Sequence, residues 1–232
     1  MEMDDDERSM ARTNYGYGNW EGPYWFLGPE QGQAPGENDD LGRRIEAWRY
    51  FGSRELDDCR AFHLHIGETR WHGENAVLQP TWKKLLLTLM AYLNRPTDEG
   101  TRLNYQRSEW GRQPGATCVI ELSGLAAHSL KVERDRDCFR EERISHIRDK
   151  IRDCRPEFVI MYGRSRKHWR AWKEIAEGAE AIVEEGSSFA EFHRSGPTIL
   201  ALTPAPTSWG PTNENWTELG VKLRRFRDGL IK

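Results

Sequence analysis

Phe158-Val159-Ile160-Met161-Tyr162, introduced by Pro156 and closed by Gly163, is the stretch on which the fold turns. Five consecutive apolar or aromatic residues between Pro and Gly read as a strand buried on both faces. A basic helix over 165–176 follows at once, completing a βα unit. The pattern recurs in both directions. Upstream, Pro23 introduces Tyr24-Trp25-Phe26-Leu27-Gly28, and helical periodicity resumes with Leu41, Ile45 and Trp48. Behind Pro80, the residues Trp82, Leu85, Leu86, Leu89, Met90 and Leu93 form a core-type helical stripe. Cys118-Val119-Ile120 is the next strand, and Ile144, Ile147 and Ile151 mark one face of a charged helix over 139–153. Downstream lie strands at 181–184 and 198–202 and an amphipathic helix over 213–230. Strands alternating with helices predict the α/β class, as a single three-layer α/β/α domain with a central, mainly parallel four- to five-stranded sheet.

A chain of 232 residues suffices for one domain with a proper core. Residues 1–19 lack apolar periodicity and are expected to form a disordered acidic tail, leaving 20–232 as the folded domain. The start, Met1-Glu2-Met3-Asp4-Asp5-Asp6-Glu7, is acidic, unlike the basic start of a secretory signal. The longest apolar run, Leu85-Leu86-Leu87, is far too short to span a bilayer. Cys59, Cys118, Cys138 and Cys154 show no C-x-x-C spacing and read as free thiols rather than a disulfide framework. A cytoplasmic monomer with no membrane partner is therefore expected. The net charge of −3 excludes binding driven by a globally basic surface but leaves room for a local basic groove.

Ligands of such sheets bind beyond the carboxyl ends of the strands, which directs attention to 28–32, 121–124, 162–168 and 203–209. Gly28-Pro29-Glu30-Gln31-Gly32 is either a polar connection or a carboxylate held where backbone approaches a ligand closely. Glu121 either caps the next turn, pairs with an Arg, or with Ser123 faces that ligand. Arg164, Arg166 and Lys167, before His168, form either a solvated face or a phosphate-holding helix start. Trp209, after Thr207-Ser208, either anchors a Pro-rich loop or presents an apolar wedge. His63-Leu64-His65, read as a strand, would carry both imidazoles on one face with Cys59 and His72 nearby. That spacing is generic and no carboxylate cluster accompanies it, so exposed loop histidines and no metal are expected.

In order and placement these segments resemble the uracil-DNA glycosylase superfamily over about residues 23–225. That family sets a short Gly-containing loop directly after its first core strand, with a water-positioning Asp or Asn at its third residue. Trp25-Phe26-Leu27-Gly28-Pro29-Glu30-Gln31-Gly32 is similar and puts Glu30 in that place. Asp39-Asp40-Leu41-Gly42-Arg43-Arg44-Ile45 resembles the family's Asp-x-x-Gly-Arg-Pro-aromatic segment, with Ile45 where a base-stacking Phe is usual and Trp48 or Tyr24 as substitutes. Glu121 or Ser123 stands where an Asn usually reads the uracil edge. A carboxylate there accepts from N3–H but does not donate to O4. Leu202-Thr203-Pro204-Ala205-Pro206-Thr207-Ser208-Trp209 is similar to the His-Pro-Ser/Thr loop, with Ala205 replacing the leaving-group His, a role that passes to His168 or backbone N–H groups.

The resemblance implies a DNA-repair hydrolase that flips uracil or another modified base out of DNA and cleaves its N-glycosidic bond, or a non-catalytic domain that binds damaged or single-stranded DNA. It implies Glu30, Gln31 and His168 as catalytic residues. Gly28, Gly32, Ile45, Trp48, Glu121 and Ser123 would surround the base. Arg164, Arg166, Lys167, Thr207, Ser208 and Trp209 would hold the DNA. No cofactor is implied, since the cysteine spacing does not fit the iron–sulfur cluster of some members.

Overall fold

The computed structural model describes residues 3–30, 40–125, 139–163, 165–182 and 189–230. The first half contains α1 (Asp5–Thr13), β1 (Gly16–Gly18), β2 (Tyr24–Gly28), α2 (Asp40–Tyr50), β3 (Leu56–Asp57), α3 (Cys59–His65), α4 (Trp82–Tyr92) and α5 (Glu99–Ser108). The second contains β4 (Thr117–Glu121), α6 (Arg140–Cys154), β5 (Phe158–Tyr162), α7 (Arg166–Ile175), β6 (Glu180–Ile182), β7 (Glu191–Ser195), β8 (Thr198–Thr203) and α8 (Asn213–Arg227).

All the strands join one sheet in the order β3-β1-β4-β2-β5-β8-β7-β6. Its middle, β4-β2-β5-β8, is parallel throughout, and these are the four strands that the apolar runs between Pro and Gly predict. The sheet is larger than four or five strands because short strands extend both edges. β1 pairs antiparallel with β4 and parallel with β3, while β7 and β6 continue antiparallel from β8. β7 and β8 are joined by the two-residue turn Gly196-Pro197, with Ser195 opposite Thr198. Alternation along each strand serves two helical layers. Phe26, Val119, Ile160 and Ala201 pack against α2, α4 and α8, whereas Trp25, Leu27, Ile120, Val159 and Leu202 pack against α6 and α7. The fold is thus a three-layer α/β/α domain, and no helix among the described residues is long and apolar enough to cross a membrane.

The expected disordered tail is corrected by the structure. Asp4 caps α1 through a capping box with Glu7, and Met10 and Ala11 are buried. β1 lies inside the sheet, beside β4. The acidic composition that suggested a tail is in part a helix N-terminus, where carboxylates complement the exposed N–H groups.

Arg143, in α6, fastens this segment. Its side chain is 1% exposed and donates to four carbonyls. Nε bonds Leu122 O at 2.9 Å, Nη1 bonds Ala11 O at 3.0 Å and Asn14 O at 2.9 Å, and Nη2 bonds Glu121 O at 2.8 Å. The guanidinium also lies 4.0 Å from the Tyr15 ring centroid. Arg143→Met keeps comparable bulk but strips these carbonyls of their donors, and should cost about 3–5 kcal/mol of unfolding free energy in urea titration.

Candidate active site

The four parallel strands end level with one another. Gly28 pairs with Glu121, Leu27 with Met161 and Tyr162 with Thr203, so Glu121, Gly28, Tyr162 and Thr203 form a row across β4, β2, β5 and β8. They lie two residues beyond Val119, Phe26, Ile160 and Ala201 and share the face toward α2, α4 and α8. β2 is also where the chain changes direction across the sheet, its two neighbours belonging to opposite crossovers, which is where α/β sheets open a crevice.

Gly28 makes the row possible. A Cβ there would sit 2.1 Å from Glu121 Oε2 and 2.3 Å from Tyr162 Oη, an impossible approach. In that space the two side chains meet, Tyr162 Oη donating to Glu121 Oε1 at 3.4 Å. Oε2 is buried and has no hydrogen-bond partner among the described residues. The loop above is carried on β4, since Leu122 N donates to Gly28 O at 2.8 Å and Ser123 N to Pro29 O at 3.0 Å. Half-buried Glu30 therefore sits one residue past a clamped turn.

Burial, and after it the negative charge of Glu30, pushes the Glu121 carboxyl up to about 8, against the smaller opposing effects of the Tyr162 hydrogen bond and Arg143. Burial and Glu121 likewise push the Tyr162 phenol up. Near pH 7 Glu121 is thus a neutral carboxylic acid, carrying one O–H donor and one carbonyl acceptor. The expectation of an acceptor-only carboxylate at this position is corrected accordingly.

No protein-family model and no curated protein matches this chain.

The structure divides the remaining expected site residues into three groups. Gln31, Gly32 and Arg164 lie outside the described residues. Ile45 and Trp48 are buried in the core, Trp48 donating its indole N–H to Arg54 O at 2.9 Å, so neither presents a face to a ligand. Tyr24 begins β2, at the opposite end from Gly28, and stacks on Phe158. Ser123 is buried in its own turn, its hydroxyl bonded to Leu125 O at 3.3 Å. These are corrections. Ile45 and Trp48 carry the helical periodicity of α2, and that periodicity marks its core face.

The third group lies at the carboxyl end. His168 is buried in the first turn of α7, its backbone N–H capped by Ser165 Oγ at 3.2 Å. Its ring packs against Gly163, whose φ of +122° favours glycine and where an added Cβ would come within 3.2 Å of Nδ1. Arg166 and Lys167 are exposed on the same turn. Thr207, Ser208 and Trp209 follow β8 in an exposed loop, and Trp209 is 100% exposed. Tyr162 was missed as a site residue. Its signal was a phenol ending a strand that is otherwise wholly apolar.

The raised pKa of Glu121 has a stability consequence. Between pH 4.5, the ordinary value, and about 8, folding takes up a proton at Glu121, so its contribution becomes less favourable as pH rises through that window. Glu121→Gln removes the titration. Melting temperatures from pH 4.5 to 9 should show the variant gaining on the parent with rising pH, with the difference level above about 8. Asp57, pushed up to about 7 by burial, is common to both proteins and drops out of the comparison.

Proposed function

We propose that the chain is a DNA glycosylase of the uracil-DNA glycosylase kind, hydrolysing the N-glycosidic bond of an imide-bearing base such as uracil extruded from DNA. The observation that carries this reading is the pair Glu30 and Glu121 at the carboxyl ends of β2 and β4, close enough for the charge of Glu30 to act on Glu121, which is held neutral. Two carboxyl groups in one site with opposed protonation divide acid and base work between them.

In this mechanism Glu30, as carboxylate, orients a water and supports positive charge on the sugar as the C1′–N bond lengthens. The water oxygen bonds C1′, its proton passes to Glu30, and the base departs with the electron pair of the broken bond. Neutral Glu121 does what a side-chain amide does, accepting from the base N3–H and donating to a neighbouring carbonyl oxygen. His168 and the backbone N–H groups at the start of α7 are the donors placed to take up charge on the leaving base in the absence of a histidine at 205. Arg166 and Lys167 hold phosphates at that helix start, and Trp209 fills the gap in the stack.

Oligonucleotides containing uracil, hypoxanthine or hydroxymethyl-type bases, scored for alkali-labile abasic sites, test the reading. Glu30→Ala should lower the single-turnover rate by about 100-fold or more. Glu121→Gln should keep most of the activity at pH 7 and lose the fall toward about pH 8 that the parent shows, while Glu121→Ala is inactive. Trp209→Ala should weaken action on duplex about tenfold and leave single-stranded substrate nearly unaffected. Intact oligonucleotides of every kind would remove the enzymatic reading, and retained binding in a gel shift would then identify a DNA-binding domain.

A further inference from the structure

A second cluster of chemistry-bearing side chains lies away from this crevice. Cys59, His63 and His72 turn one donor atom each toward a common point, with Cys59 Sγ 3.6 Å from His63 Nδ1 and 3.6 Å from His72 Nε2, and the two nitrogens 3.1 Å apart. A tetrahedral ion with Zn–S of about 2.3 Å and Zn–N of about 2.05 Å requires S···N near 3.5 Å and N···N near 3.4 Å. The triangle has that size.

Three independent features of the chain make it. Cys59 and His63 stand four residues apart on α3, hence on one helix face. His72 comes from the 66–81 loop, which fully buried Gln106 holds in place. Its Nε2 donates to Trp71 O and Val77 O, both at 2.9 Å, and its Oε1 accepts from Gln79 N at 2.9 Å. The Trp82 ring closes the site, 5.8 Å from the His63 ring and 5.9 Å from that of His72. Exposure is 0, 6 and 1% for Cys59, His63 and His72, so all three donors are withdrawn from bulk water. His65, the other half of the pair visible in the sequence, is exposed and stacks on Tyr50 instead.

We propose that Cys59, His63 and His72 form a buried binding site for a divalent zinc-class cation that fastens the 66–81 loop to α3. A thiolate with two imidazoles is a borderline-soft donor set of the kind zinc selects. Coordination forms the S–metal bond as the Cys59 S–H proton leaves to solvent, so the centre carries one net positive charge. Asp58 and Glu68 act on the cluster against the neighbouring Arg44, Arg60 and Arg112, and Asp58 is itself paired with Arg112 at 2.7 Å. Three protein ligands leave a fourth position for water. The site lies apart from the row of strand ends that carries Glu121. Cys59 N donates to Gly111 O at 2.8 Å and Gly111 N to Thr117 Oγ1 at 2.8 Å, which anchors Cys59 beside the first residue of β4, whereas Glu121 is its last. The inference is therefore independent of the glycosylase reading.

The test uses the full chain purified from zinc-supplemented medium without chelator, analysed by mass spectrometry of its metals. About one equivalent of zinc is expected, falling below about a fifth in Cys59→Ser and His72→Gln and unchanged in His65→Ala. Parent protein stripped with chelator needs no substitution to be informative. Cobalt should give it a thiolate-to-metal absorption band and tetrahedral visible bands, and zinc should raise its melting temperature. Less than about a tenth of an equivalent together with no response of the stripped protein to either ion would overturn the proposal, leaving a hydrogen-bonded thiol–imidazole cluster. So would zinc retained equally by the two ligand variants.

Discussion

A single buried cation, met by backbone carbonyls, holds together the end of the molecule where β4 finishes. Burial lowers the affinity of Arg143 for its proton only to about 10, so the guanidinium remains charged at neutral pH. Among the described residues no ion pair neutralises it, and its charge is met by carbonyl dipoles and the face of Tyr15. Two of those carbonyls end β4 and two end α1. The guanidinium fork thus converts a short N-terminal helix into a support for the strand end that carries Glu121.

Glu121 is consequently constrained from two directions. Its backbone oxygen accepts from a buried cation while its side chain, on the opposite face, is pushed toward the neutral state by burial and by Glu30. The favourable influence of Arg143 on the ionised carboxylate is the weakest of the effects acting on it. Separation by the sheet explains this ranking, because the charge reaches the carboxyl through the strand rather than alongside it. Gly28 completes the constraint by letting Glu121 and Tyr162 share space that any other residue would fill.

The sequence displays this architecture unevenly. The four central strands were legible because each is a continuous apolar run between Pro or Gly residues, and burial on both faces demands such runs. β1 and β3 were not, being strands of three and two residues whose pairing depends on β4 and on each other rather than on their own pattern. β7 reads as polar because Phe192 is its one apolar residue, although His193 beside it is buried as well and Gly196-Pro197 marks its turn. For the candidate site, position after strands singles out Gly28, Glu30 and Glu121, which the structure brings together at the ends of β2 and β4. Ile45 and Trp48 belong to the core face of α2, which their helical spacing marks more strongly than the short motif that contains Ile45. The cluster of Cys59, His63 and His72 was visible only as scattered letters. A strand reading joined His63 to His65, whereas a helix joins it to Cys59, and only tertiary packing through Gln106 brings in His72.

The tryptophans also give the molecule a ready optical handle. Trp25, Trp110, Trp172 and Trp216 are among its most deeply buried side chains, while Trp209 is wholly open to water in the loop that follows β8. Indoles in those two environments emit at different wavelengths and differ in access to a soluble quencher. Fluorescence from the red, quenchable edge of the spectrum therefore originates disproportionately from one loop beside the strand ends, and it follows what happens there without any label being attached.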